Sequence, residues 1–193
     1  VPQTSTKYTL RTDKMYKQIA ETCITVSNII PGNVALFFPS YHLRDKIGFF
    51  IESGKKLFWE KSDMSKEEKS VLLNDFRCEK EKGGILLGVT GANFAEGVDL
   101  PGDLLNGVIV IGLPLAKPDL KTREVIQYYE DKFKKGWDYG YTFPALNKCF
   151  QSAGRCIRSE TDKGAVIYLD ERFAWKRYYD HFSREGLIVS VEY

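Results

Sequence analysis

Short apolar runs alternate with longer amphipathic stretches along this chain, and that alternation limits its fold more than any other feature. Asn33–Phe38, Lys56–Trp59, Gly84–Val89, Gly107–Ile111 and Ala165–Leu169 each have the length of one strand. Their apolar character is not confined to every second position, so these strands are expected to be covered on both faces. Sheets of that kind are parallel and lie between helix layers. Helices are expected at 13–30, 41–52, 65–81, 121–135 and 173–184, with a last strand at Leu187–Val191. Pro31-Gly32 closes the first helix. Asp63 or Ser65 can cap the third, where Ser65 and Glu68 make an S-x-x-E capping box. The reading is an α/β domain spanning 1–193, a doubly wound, mainly parallel sheet with helices on both faces.

At 193 residues and 43% hydrophobic content the chain fills one domain with a real core. A net charge of +2 does not mark a nucleic-acid binder, so any such contact must come from local placement. Cys23, Cys78, Cys149 and Cys156 form no C-x-x-C, which argues against zinc or an iron–sulfur cluster on this chain. Buried thiols in a reducing compartment are the expectation. No signal peptide or membrane-length apolar run is seen, so no membrane partner is expected. The opening Val1-Pro-Gln suggests a piece of something longer.

Residues 146–158 have an unusual polar face. Wound at about 100° per residue, Leu146, Cys149, Phe150, Ala153, Cys156 and Ile157 share one arc. Gln151, Gly154, Arg155 and Arg158 gather opposite. Guanidinium groups grip phosphate bidentately. A glycine among them lets a ligand approach the backbone. This is how a helix would meet a polyphosphate.

Ligands of doubly wound sheets bind beyond the carboxyl ends of the strands. After Val89 come Thr90, Gly91, Glu96, Gly97 and Asp99. These either present amides to phosphate or decorate a surface loop. After Phe38 comes Ser40, a helix N-cap or a phosphate holder. Trp137, Tyr139, Tyr141 and Phe143 either stack on bases or pack in an interface. No P-loop exists: Ser53-Gly-Lys-Lys56 lacks its first glycine and its hydroxyl residue. His42 and His181 have no evident triad or metal partners. An arginine pair without a cradle places the rest of the nucleotide site elsewhere.

Several segments together resemble one family. Gln151-x-x-Gly-Arg-x-Ile-Arg-Ser-Glu-Thr-Asp-x-Gly164 is similar to helicase motif VI, and Gly91-x-x-Phe-x-Glu-Gly-Val-Asp-Leu-Pro-Gly102 to motif V. Asn33-Val-x-Leu-Phe-Phe-Pro-Ser-Tyr41 is similar to motif IV. Gly107–Leu115, the charged helix after it and Asp170-Glu-Arg-Phe173 complete the order over about 33–180. The family is the XPD/DinG group of superfamily 2 DNA helicases.

The resemblance implies a 5′-to-3′ DNA helicase driven by ATP with magnesium, serving DNA repair and built from two RecA-like motors. This chain would be the second. The first motor domain, the iron–sulfur domain and the Arch domain are absent from it, and the cluster of the full-length protein would lie outside this chain. Arg155 and Arg158 match the arginines that reach the γ-phosphate, and Gln151 would position water or phosphate beside Gly154. Glu96, Gly97 and Asp99 would couple the nucleotide to DNA. Ser40, Tyr41, Thr90 and Gly91 would touch the backbone of single-stranded DNA. The first motor domain is an implied partner, and regulatory proteins are possible ones. Helix 121–135 and the region after Asp170 are candidate docking surfaces for the latter, which makes a docking module the alternative reading. The location would be cytoplasmic in a prokaryote, the favoured case, or nuclear in a eukaryote.

Overall fold

In a computed structural model that describes residues 3–97, 104–115, 119–157 and 163–182, all five apolar runs are strands. They are β1 (Val34–Phe38), β2 (Lys56–Trp59), β3 (Gly84–Val89), β4 (Gly107–Ile111) and β5 (Ala165–Leu169). Every pairing is parallel, in the order β2-β3-β1-β4-β5. The helices are α1 (Asp13–Ile29), α2 (Tyr41–Gly48), α3 (Lys66–Cys78), α4 (Leu120–Phe133), α5 (Phe143–Ala153) and α6 (Lys176–Tyr179). No helix among the described residues is long and apolar enough to cross a membrane.

Side chains alternate across a strand, and in β1, β3 and β4 both sets are buried. Ala35, Phe37, Leu86, Val108 and Val110 pack with Leu73 and Phe76 of α3 and with Leu146, Cys149 and Ala153 of α5. Val34, Leu36, Ile85, Leu87 and Ile109 pack on the other face with Ile19 and Cys23 of α1 and Leu43 and Ile47 of α2. Each large aliphatic side chain buried this way contributes about 1.5–3 kcal/mol. The two faces together carry the domain, as the doubly wound reading requires. α4 is different. It buries no residue of its own and packs on the aromatic turn that precedes α5.

Local chemistry sets the helix starts. Thr12, Ser40 and Asp119 accept from the amides of Met15, Leu43 and Thr122. Ser65 rather than Asp63 caps α3: Glu68 N donates to Ser65 Oγ at 3.2 Å, and Ser65 N donates back to Glu68 Oε2 at 2.8 Å. Each cap satisfies an amide that has no partner inside its helix, a contribution of about 1 kcal/mol.

Three expectations fail. Gly136–Pro144 is not an open connection, because Asp138–Thr142 forms a π-helical turn that runs into α5. The helix expected at 173–184 is reduced to a 3₁₀ turn, Glu171–Ala174, and the single turn of α6. Between them Trp175 adopts an extended conformation, with φ −71° and ψ 135°. α5 stops at Ala153, so Arg155 is not on its α-helical face. The chain tightens there through Arg155 N to Ser152 O (3.3 Å) and Cys156 N to Ala153 O (3.0 Å). Cys156 is thereby drawn inward, its thiol 3.7 Å from Leu105 O, while Ile157 stays 45% exposed. The strand expected at Leu187–Val191 lies outside the described residues.

The opening segment has no counterpart in the sequence reading. Thr4, Ser5 and Thr6 are buried across the ends of β4 and β5. Thr6 N and Oγ1 donate to Asp170 Oδ2 at 2.8 and 2.9 Å, and Glu171 N donates to Thr4 O at 2.7 Å. Arg172 grips the same carboxylate from the other side, Nε to Oδ1 at 2.8 Å and Nη2 to Oδ2 at 2.9 Å. Gly112, at φ +70°, turns the chain after β4 where any β-carbon would strike Thr6.

Candidate functional site at the carboxyl edge of the sheet

β1 and β3 lie side by side, so the segments that follow them meet. Thr90 N donates to Phe38 O at 2.8 Å, which extends the ladder one step past the strands. Gly91 then takes φ +79°, a conformation open to glycine at little cost. The Thr90 side chain is buried, and its hydroxyl has no hydrogen-bond partner among the described residues. Ser40 Oγ accepts from Leu43 N at 3.3 Å and so serves as a cap in this state. Tyr41 follows it at the start of α2. Ser40, Tyr41, Thr90 and Gly91 thus share one edge.

Glu60, which the sequence reading passed over, lies between them. It follows β2 directly and is fully buried. Its Oε2 accepts from Val89 N at 2.8 Å and its Oε1 from Phe94 N at 3.4 Å. Burial raises its pKa above the ordinary carboxylate value, while these donors pull the other way. The same burial, with the Glu60 charge, pushes the Tyr41 hydroxyl up to about 12. One sequence signal existed, an acidic residue at the very end of an otherwise apolar strand.

The loop after Gly91 coils into a π-helical turn, Asn93–Gly97, whose Phe94 and Ala95 are buried. Arg155 reaches this turn from the end of α5, and its Nε donates to Ala95 O at 2.8 Å. That bond joins the arginine-bearing segment to the loop after β3. Gln151 and Gly154 are exposed beside it. Gly154 has an ordinary helical φ of −63°. A β-carbon there would meet only the Phe150 and Gln151 carbonyls, at 3.3 and 3.7 Å. Nothing inside the described residues requires a glycine at this position. The backbone of Glu96 and Gly97 belongs to the turn, whereas the Glu96 side chain, Asp99 and Arg158 lie outside the described residues.

The aromatic cluster packs mainly on itself and on α4. Tyr139 lies 5.5 Å from Tyr129, 5.7 Å from Phe133 and 5.2 Å from Phe143, and Trp137 lies 4.7 Å from Tyr141, centroid to centroid.

Cys23, Cys149 and Cys156 are buried at separate points, and burial pushes the first two thiols up to about 12. Among the described residues no group of three or more His, Cys, Asp or Glu side chains is placed to hold a metal ion. In the native chain one thiol, exposed Cys78, should react with an aromatic disulfide reagent at neutral pH, and all four after denaturation. A second fast-reacting thiol would contradict the burial.

The helicase C-terminal domain family matches residues 23–185. The chain is 33% identical over 160 residues to the ATP-dependent DNA helicase DinG of Photobacterium profundum, covering 80% of this chain and 23% of that protein. It is 28% identical over 181 residues to the ATP-dependent DNA helicase XPD of Sulfolobus acidocaldarius, covering 90% and 31%. A solved apo XPD structure superposes with a TM-score of 0.77 at 26% identity, over 93% of this chain and 36% of that one. The chain therefore spans under a third of the length of these curated relatives.

Proposed function

The chain belongs to the helicase C-terminal domain family, in its XPD/DinG branch, and from that premise we propose that it is the second RecA-like motor of an ATP-dependent DNA helicase acting in DNA repair. The observation that carries the reading is the bond from Arg155 to Ala95, which connects the arginine segment to the turn beside Thr90 and Gly91. One edge of one sheet thereby holds both a nucleotide-facing and a DNA-facing group.

In this reading Gln151, Gly154 and Arg155 take one side of ATP with magnesium, and the first motor domain supplies the other. The bound nucleotide supplies the phosphoryl transfer that drives the motor. Exposed Gln151 and open Gly154 suit that role, since they leave a polar, uncrowded surface at the end of α5. Arg155 offsets charge that develops on the transferred group, as arginine fingers do. Arg158 is assigned beside it, and Glu96, Gly97 and Asp99 to relaying the change, on the strength of the sequence motif. Ser40, Tyr41, Thr90 and Gly91 contact the phosphodiester backbone of single-stranded DNA. Such contacts ignore base identity and suit translocation. The iron–sulfur cluster belongs elsewhere in the longer polypeptide.

A longer polypeptide joining this domain to a Walker A motor should hydrolyse ATP faster when single-stranded DNA is added. This chain alone, which has no P-loop sequence, should not turn over ATP. Robust DNA-stimulated turnover by the chain by itself would refute the half-site reading.

A second role as a docking module is favoured by α4, where Tyr128 and Phe133 are about half exposed and no residue is buried. Pull-down with the first motor domain, with and without a non-hydrolysable nucleotide, separates the two roles. Nucleotide-dependent capture marks the motor half.

A further inference from the structure

We propose that Glu60 is a positioning residue for Arg155: its carboxylate fixes the turn after β3, and that turn holds the guanidinium where phosphoryl transfer needs it. The inference rests on the arginine-finger reading above and names a residue outside the helicase-like motifs.

Glu60 is itself held in place. Its amide donates to Leu87 O at 3.1 Å, and its carbonyl accepts from the Arg44 guanidinium. Arg44 is buried in α2 and pairs with Asp45 at 2.6 Å. The Glu60 backbone is therefore fixed from two sides.

The carboxylate reaches across the end of β3. Gly88 leaves it room: a β-carbon at that position would lie 3.1 Å from Glu60 Oε2 and 3.0 Å from the Phe37 ring. Beyond it the Val89 amide donates to Oε2 at 2.8 Å and the Phe94 amide to Oε1 at 3.4 Å. Val89 ends the strand and Phe94 belongs to the π-helical turn, so one carboxylate pins both sides of the loop 90–93. Phe94 and Ala95 are fully buried, which leaves the turn little room to shift. The Ala95 carbonyl in turn accepts from Arg155 Nε at 2.8 Å. The path from Glu60 to Arg155 is thus one hydrogen bond, the backbone of two adjoining residues and a second hydrogen bond. A guanidinium is planar, so a bond at Nε constrains the direction of the whole group. Direction matters here, because a misplacement of about 1 Å at a reacting centre can cost about 100-fold in rate.

The chemistry at position 60 is specific. Two buried amides need two acceptors, and leaving one unpaired is costly. A carboxylate supplies both oxygens. Glutamine keeps the shape but offers one oxygen and turns an N–H toward the second amide. Aspartate keeps the charge and both oxygens but is one methylene shorter.

The test is Glu60→Gln in a polypeptide that joins this domain to a Walker A motor. It reads the turnover number at saturating ATP and single-stranded DNA, well below the thermal midpoint of each variant, together with nucleotide affinity. Turnover should fall by roughly 2- to 30-fold, the span carried by single positions acting at a distance, with affinity unchanged. Glu60→Asp should behave in the same way. In an Arg155→Ala background Glu60→Gln should cost nothing further, because no guanidinium remains to be aimed. A merely structural role would lower the midpoint and leave turnover below it untouched. Unchanged turnover in Glu60→Gln, or in Glu60→Asp if the first variant does not fold, would overturn the proposal. So would a further loss in the Arg155→Ala background. Near-normal turnover in Arg155→Ala itself would instead refute the finger reading, and this inference with it.

Discussion

Arg155→Ala, placed in a polypeptide that joins this domain to a Walker A motor, should lower the turnover number for ATP by about 10³–10⁵-fold. That range corresponds to about 4–7 kcal/mol of barrier. Nucleotide affinity should change little, because an arginine finger acts on charge that appears during transfer rather than on the bound ground state. Arg155→Lys should not restore the rate. Lysine offers a single charged point, and here the guanidinium already spends Nε on Ala95 O. The substitution also removes that hydrogen bond, so turnover must be compared well below each thermal midpoint. Near-normal turnover in Arg155→Ala would remove the finger assignment. A parallel loss of nucleotide binding would recast Arg155 as a ground-state contact.

The second large effect is on stability, at Asp170. Its carboxylate is buried and accepts from Thr6 and from Arg172, which is buried as well. Asp170→Asn keeps the shape but strands the guanidinium, and breaking a buried pair on one side costs about 3–5 kcal/mol. At this chain length each kcal/mol moves the midpoint by roughly 2–4 °C, so calorimetry will resolve it. The pH dependence has a defined sign. Burial alone would raise the pKa of Asp170, but the bonds and charge of Arg172 and the Thr6 amide bring it below its ordinary value. A lowered carboxylate contributes in full above its unfolded pKa, and the contribution is lost as pH falls through the folded one. The gap between wild type and Asp170→Asn should therefore close below about pH 4. A gap that stays constant into acid would show that the pair is not ionic.

The sheet was legible because its three central strands, β1, β3 and β4, are buried on both sides. A run such as Val34–Phe38 has no polar position to blur its limits, and four of the five strand ranges agree residue for residue. The fifth differs only at Asn33, whose side chain donates to Phe76 O and accepts from Gly84 N instead of extending the strand. The turn at Asp138–Thr142 was hidden by composition. Two glycines and a row of aromatics read as a loop, and the turn is held by rings on α4 that only tertiary structure brings near. Arg155 reaches the turn after β3 but not from the helical face that a wheel assigns it, since a wheel cannot show where Cys156 pulls the chain inward. Glu60 was missed for a deeper reason. Its partners are amides 29 and 34 residues away, and a carboxylate does not announce in sequence that backbone donors will surround it.

The strap at Thr4–Thr6 has a consequence for how the chain is made. Thr6 and its anchor Asp170 are separated by 164 positions. On a ribosome adding about 5–20 residues per second, Thr4–Thr6 emerge many seconds before Asp170 exists. Until then Thr4–Thr6 have no carboxylate to bind, and the ends of β4 and β5 stay uncovered. Synthesis stalled before β5 would leave Thr4–Thr6 unfastened and open to proteases. The turn that follows β5 is thus what secures Thr4–Thr6.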